Sequence, residues 1–216
     1  MKNITTVIVN YQTPKLLDEA VRSFKEFYPH IKTVIFDNGS RDESQNTIES
    51  LVNHFPYSVE AHYESKNIFH GPALHKALTR IVDTKYCFFL DSDTITMQGG
   101  FLEKGVAMLD SHEKNYACGF IVHANKRGFK DPGGIPIAVT PYLLLKTEFY
   151  MRFPPFQHHG QPVLSNFEEA QNRGYKILHF PMDEYINHLW RGTASRYGYQ
   201  LGLKGKIDFL LNKFGL

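Results

Sequence analysis

Between residues 4 and 90 the chain alternates short β-rich runs with segments whose apolar residues recur at helical spacing. Residues 4–9 (ITTVIV) read as a strand. Thr13 stands where an N-cap belongs, with Pro14 at the first helical position. Leu16, Leu17, Ala20, Val21 and Phe24 then predict a helix over 14–28. A second strand over 32–36 ends at Asp37-Asn38-Gly39-Ser40. A helix over about 42–54 turns Ile48, Leu51, Val52 and Phe55 inward. A third strand over 57–63 precedes a helix over about 71–83, whose apolar face carries Leu74, Ala77, Leu78, Ile81 and Val82. Tyr86-Cys87-Phe88-Phe89-Leu90 is apolar throughout, as a central parallel strand covered on both faces would be. This order predicts an α/β fold with helices on both faces of a sheet.

The second half is less regular. A helix is expected over 99–110, and strands over 117–123 and 137–147, the latter as an antiparallel excursion. Turn-rich loops are expected over 127–134 and 153–162, then a helix over 163–173 and a strand over 176–180. Residues 185–190 lead to His188. From about residue 191 the character changes again. Five Lys and Arg stand against Asp208, among ten tyrosine, phenylalanine, leucine and isoleucine residues. Such a tail fits a helix docked on the domain, or a segment lying on an anionic membrane surface.

Composition narrows the classes. The chain has 216 residues and a net charge of +2, which argues against a dedicated nucleic-acid binder. Aromatic residues make up 14 %, too many for a disordered chain. Two cysteines, Cys87 and Cys118, cannot form a disulfide framework, so reducing cytosol is the expected compartment. No run of 18 apolar residues predicts a transmembrane helix, and Met1–Thr6 lacks the pattern of a signal peptide.

The chemistry gathers where strands end. Ligands of open α/β sheets bind at the strands' carboxyl ends, and Tyr11, Asp37 and Asp91-Ser92-Asp93 all follow strands. Two neighbouring carboxylates repel unless a cation offsets them. A hard divalent ion, Mg²⁺ or Mn²⁺, takes oxygen ligands and works with phosphates. Asp37 can accept N–H donors from a nucleobase, and Tyr11 can stack on that base. Lys66 and Asn67, ahead of Gly71 near a helix start, suit a diphosphate.

This ordered set resembles the GT-A nucleotide-diphospho-sugar glycosyltransferases of the inverting group called family 2. The resemblance runs from Val7-Ile8-Val9-Asn10-Tyr11 through Asp37–Asp42, Asn67 and Gly71 to Phe89–Asp93. Later landmarks, Arg173-Gly174-Tyr175-Lys176-Ile177 and His188, extend it to about residue 192. It implies a GT-A, Rossmann-like, mostly parallel sheet. Residues 1–110 would form the nucleotide-sugar half, 111–192 the acceptor half, and 193–216 a tail. Tyr11 and Asp37 would hold a base, usually uracil; Lys66 and Asn67 would lie near base or diphosphate. Asp91 and Ser92 would lie by the ribose. Asp91 and Asp93 would bind Mn²⁺ or Mg²⁺, with His188 as a further ligand.

One departure stands out. The family usually places an acidic pair about a dozen residues before the Gly-Tyr-Lys-Ile landmark, and here Gln161-Pro162 occupies that place. Neither side chain abstracts a proton. His158, His159 and Asp131 are the remaining base candidates; Glu168 and Glu169 fall on a helix. The expected activity is sugar transfer from a nucleotide-sugar donor to a saccharide or lipid-linked acceptor. A retaining mechanism, a binding module without turnover and a sugar-nucleotidyltransferase remain alternatives. The last would want a glycine-rich basic loop after the first strand, and Asn10–Pro14 stands there instead. A P-loop is absent. A homodimer and a peripheral contact with the inner membrane face through 193–216 complete the expectations.

Overall fold

The computed structural model describes residues 3–190. The tail 193–216, with its expected membrane contact, lies outside the described residues. Seven strands form the main sheet: β1 (Ile4–Asn10), β2 (Lys32–Asp37), β3 (Val59–Tyr63), β4 (Tyr86–Leu90), β6 (Asn115–Gly119), β9 (Tyr142–Lys146) and β10 (Lys176–His179). Their order is β10-β6-β9-β4-β1-β2-β3. Within this sheet β9 alone runs against its neighbours, β4 and β6.

Strict alternation divides the core between the two faces. On one side Val7, Val34, Phe36, Cys87, Phe89, Leu143 and Leu145 pack under α3 (His70–Arg80), α5 (Thr147–Tyr150) and α6 (Leu164–Asn172). On the other, Ile8, Ile35, Phe88, Leu90 and Leu144 meet α1 (Pro14–Phe27), α2 (Ser44–His54) and α4 (Phe101–Asp110). Two covered faces explain why β4 and β9 are buried at every position. The free cysteines Cys87 and Cys118 fill this core, where burial pushes the Cys118 thiol up to about 12.

The second half departs from the expected elements. The strands expected over 117–123 and 137–147 each break in two. β6 and β9 stay in the sheet, while β7 (Ile121–Ala124) and β8 (Ile135–Ala138) turn away as an antiparallel hairpin. The breaks fall at Phe120 and over residues 139–141, where Pro141 has no N–H for a ladder. Two short strands also pair antiparallel, β5 (Thr94–Thr96) with β11 (Ile186–His188). Neither β5 nor α5 is long enough to show a period in sequence. Among the described residues no helix is long and apolar enough to cross a membrane.

From β1 the order runs outward through β2 and β3 on one side and to β4 on the other. Such a reversal opens a crevice at the carboxyl ends of β1 and β4. The segments after these strands meet there, with the hydroxyls of Thr13 and Ser92 3.0 Å apart.

Candidate functional site

The first wall is a turn closed by buried hydrogen bonds. Asp37 is 5 % exposed. Its Oδ1 accepts from Asn10 Nδ2 at 2.9 Å and from the Ser40 hydroxyl at 2.6 Å, and its Oδ2 accepts from the Ser40 N–H at 3.0 Å. The Gln12 N–H donates to Ser40 Oγ at 2.9 Å, and Gln12 holds a left-handed φ of 56°. Thr13 occupies the N-cap of α1 without capping it. Its hydroxyl donates instead to Asn10 Oδ1 at 2.9 Å and faces Ser92. Asp37 therefore organises the loop, and an ionised carboxylate with about four acceptor positions still has room for one more donor.

A second loop is stitched to the first. Asn38 Nδ2 donates to Asn67 Oδ1 at 3.0 Å, and the Ile68 N–H donates to Asn38 Oδ1 at 2.9 Å. Gly39 has φ 76°, and a Cβ there would come within 2.4 Å of the Lys66 carbonyl carbon. Only glycine permits this approach. Asn67 Oδ1 also accepts from the Phe69 N–H at 2.7 Å, beside a left-handed Phe69 with φ 69°. Tyr11 is half-buried at the exit of β1, and Lys66 is exposed.

The acidic pair lies at the carboxyl end of β4. Asp91 N–H donates to Pro141 O at 3.0 Å, and Thr94 Oγ1 donates to Asp91 O at 2.8 Å. The β5–β11 pairing sets His188 opposite Thr94, so the imidazole reaches back to Asp93. His188 Nε2 and Asp93 Oδ1 are 3.1 Å apart, and their side chains are 8 % and 6 % exposed. The Leu189 N–H donates to Asp93 O at 2.9 Å. One ligand atom each from Asp91, Asp93 and His188 falls within 4.8 Å of the others.

Charge in this corner is unbalanced. Burial pushes the Asp91 carboxyl up; His70 opposes that shift, and Asp93 adds to it. Burial alone would pull the His188 ring down, but the hydrogen bond to Asp93 and both carboxylates leave it raised. His188 Nδ1 is buried with no hydrogen-bond partner. Two carboxylates and an imidazole converging in this way form a donor set that fits a divalent cation. The Tyr142 ring stands edge-on to His188 at 6.3 Å, and Trp190, 70 % exposed, lies 4.0 Å from it.

The far wall comes from the second half. His158 stacks on Phe69 at 3.8 Å. A Cβ on Gly71 would fall 1.8 Å from the Gln157 carbonyl oxygen, so the start of α3 is pressed against this loop. His159 Nδ1 lies 3.1 Å from both the N–H and the carbonyl oxygen of Gln161, and its ring sits over Gly128. The Pro162 carbonyl accepts from the Gln157 N–H at 3.2 Å, so the place of the expected acidic pair closes a loop. Asp131 Oδ1 accepts from the Gly133 N–H at 3.0 Å and shapes its own turn. Lys126 pairs with Glu168, and Arg173 with Glu169, at the surface.

Thr13 is expected as an N-cap, and Asn10 and Ser40 belong to the motifs around Tyr11 and Asp37; in the fold all three build the polar frame around Asp37. His70 lies between Asn67 and Gly71, where no spacing singles it out, and its Nε2 comes to 3.7 Å from Asp91 Oδ1.

Known proteins share this frame. In structure the chain is similar to the mannosyltransferase PcManGT from Pyrobaculum calidifontis in complex with GDP-Man and Mn²⁺, with TM-score 0.67 and 16 % identity. That match covers 83 % of this chain and 55 % of the other. It is also similar to S. aureus TarS 1-349 in complex with UDP-GlcNAc, with TM-score 0.62, 16 % identity, and 89 % and 62 % covered. A putative glucose-1-phosphate thymidylyltransferase from Bacillus anthracis matches at TM-score 0.60 and 12 % identity, over 93 % and 97 %. These likenesses concern the fold, and the chain spans under two thirds of the first two proteins. No curated protein matches the sequence itself. The family model described as glycosyl transferase family 2 matches residues 5–180. That stretch holds β1 through β10 and both carboxylates of the crevice, so the chain belongs to glycosyl transferase family 2.

Proposed function

We propose that this chain transfers a sugar from a nucleotide-diphosphate-sugar, a UDP-sugar by preference, to a hydroxyl of a saccharide or lipid-linked acceptor. One observation carries the reading: ligand atoms of Asp91, Asp93 and His188 converge within 4.8 Å of one another at the crevice where the strand order reverses. Similar folds with GDP-Man or UDP-GlcNAc bound support the donor class.

In this reading Asp91, Asp93 and His188 hold Mn²⁺ or Mg²⁺. The imidazole favours Mn²⁺, because Mg²⁺ takes oxygen ligands almost exclusively. When bound, the cation supplies positive charge where the leaving diphosphate becomes more negative. Tyr11 stacks on the base, Asp37 accepts one of its N–H groups, and Lys66 and Asn67 face the diphosphate. Ser92 holds Thr13, and so the exit of β1, against the ribose side. Residues 1–110 form the donor half and 111–192 the acceptor half.

The acceptor hydroxyl must lose a proton as it attacks the anomeric carbon, and attack opposite the leaving group inverts that centre. His158, stacked on Phe69 beside the start of α3, is the candidate we assign to take the proton, with His159 and Asp131 as the alternatives. The basic, apolar tail 193–216 fits a cytoplasmic protein that meets a lipid-linked acceptor at the inner membrane face.

Gln161-Pro162 in place of an acidic pair favours a second reading, a nucleotide-sugar-binding module without turnover. Donor hydrolysis separates the two. With Mn²⁺ and no acceptor, a transferase slowly releases free nucleoside diphosphate from UDP-GlcNAc or GDP-mannose, and Asp93→Ala stops it. Binding of either donor with no release by the wild type would favour the module.

A further inference from the structure

The site contains one polar atom that none of these roles uses. His70 begins α3 and turns its Nε2 inward, where it is buried and makes no hydrogen bond. The nearest carboxylate oxygen, Asp91 Oδ1, is 3.7 Å away, too far for a hydrogen bond. A buried donor without a partner costs free energy. This cost persists because the backbone around His70 is held from three directions. Asn67 Oδ1 accepts from the Phe69 N–H, the left-handed Phe69 ring lies on His158, and Gly71 is pressed on Gln157. These contacts fix the backbone at His70 and leave the ring to turn at the crevice.

A group that meets both atoms would satisfy the pair: once the ring turns slightly toward the crevice, an oxygen about 2.8 Å from each makes ordinary hydrogen bonds. A phosphate oxygen is a poor occupant, because it accepts from His70 but has no hydrogen to donate to Asp91. A sugar hydroxyl both accepts and donates. It accepts from His70 Nε2–H and donates to Asp91, satisfying both at once. We propose that His70 is a specificity-determining residue of the donor site, clamping one sugar hydroxyl against Asp91. The hydroxyl belongs either to the ribose or to the transferred sugar. This inference rests on the proposed function and deepens it.

The test is equilibrium binding to the full 216-residue chain with Mn²⁺, using UDP, GDP, UDP-GlcNAc and GDP-mannose as probes. His70→Phe keeps a ring and removes the nitrogen; His70→Gln keeps an N–H donor at similar reach. The expected result is a loss of about ten- to a hundredfold in His70→Phe, with His70→Gln within a few fold of the wild type. A loss on nucleotide and nucleotide sugar alike assigns the hydroxyl to the ribose, and the 2′- or 3′-deoxy nucleotide then binds wild type and His70→Phe equally. A loss confined to the nucleotide sugar assigns it to the transferred sugar. A His70→Phe protein that melts like wild type and binds every probe as tightly overturns the clamp and leaves the donor site intact. Equal losses in both variants, accompanied by weaker binding of Mn²⁺ alone, overturn it in favour of a packing role. A wild-type chain that binds none of the four probes overturns the donor-site reading and the clamp with it.

Discussion

The two halves of the molecule build their share of the crevice by different means. Up to Asp93, Tyr11, Asp37 and the acidic pair end or follow buried strands, and side-chain hydrogen bonds lock the turns. Asn10, Asp37, Ser40 and Thr13 form one such set, and Asn38 and Asn67 another. Beyond residue 120, apart from His188 on β11, the crevice wall is made of loops held by stacking and backbone contact, such as His158 on Phe69 and Gln157 on Gly71. In the proposed function the first half would hold the nucleotide and the second the acceptor. Rigid elements carry recognition of fixed geometry, whereas loops vary without loss of the fold.

The sharpest break in that contrast comes at Asp93. Asp93→Ala should lower donor turnover about 1000-fold by removing the carboxylate that faces His188. Turnover of the nucleotide-sugar with added Mn²⁺ checks this, and an unaffected rate would remove the cation site from the mechanism. Next is the seam between the halves. Gly71→Ala should cost about 3 kcal/mol in stability, because its Cβ meets the backbone of Gln157 rather than a yielding side chain. Urea unfolding reads this directly, and a neutral result would mean that the loop is free to retreat.

The acceptor wall should answer in kcat. His158→Ala is expected to reduce kcat about 100-fold with donor KM nearly unchanged, while Asp131→Asn leaves both within a few fold. The reverse ranking would move the base to the hairpin loop.

The smallest effect lies at the opposite edge of the same strands. Lys25 is buried, donates to the carbonyls of Ile31 and Ser58, and is lowered by burial to about 7. Between that value and the unfolded value of about 10.4 the unfolded chain holds the extra proton, so stability rises with pH. Urea unfolding from pH 7 to pH 9 should gain up to about 1.4 kcal/mol per pH unit, and Lys25→Met should flatten the slope.

Period and punctuation were enough for the first half. Alternating runs such as Ile4–Val9 and helical repeats such as Leu17, Ala20, Val21 and Phe24 each declare one buried face. The acids at strand ends follow from that, because the loops leaving the strands' carboxyl ends line the crevice. The same logic stopped at residues 117–147. There two continuous apolar stretches each served two sheets, and the hairpin of Ile121–Ala124 with Ile135–Ala138 emerged only from pairing.

Local patterning could therefore name Asp37, Asp91 and Asp93 as candidates, since hydrophobic periodicity is a property of neighbours in the chain. Bringing His188 to Asp93 across 95 positions required the β5–β11 pairing. Setting His70 3.7 Å from Asp91 required Phe69 to adopt a left-handed backbone under His158. Those contacts join residues whose spacing carries no period, so they exist only once the sheet has closed and its loops have packed.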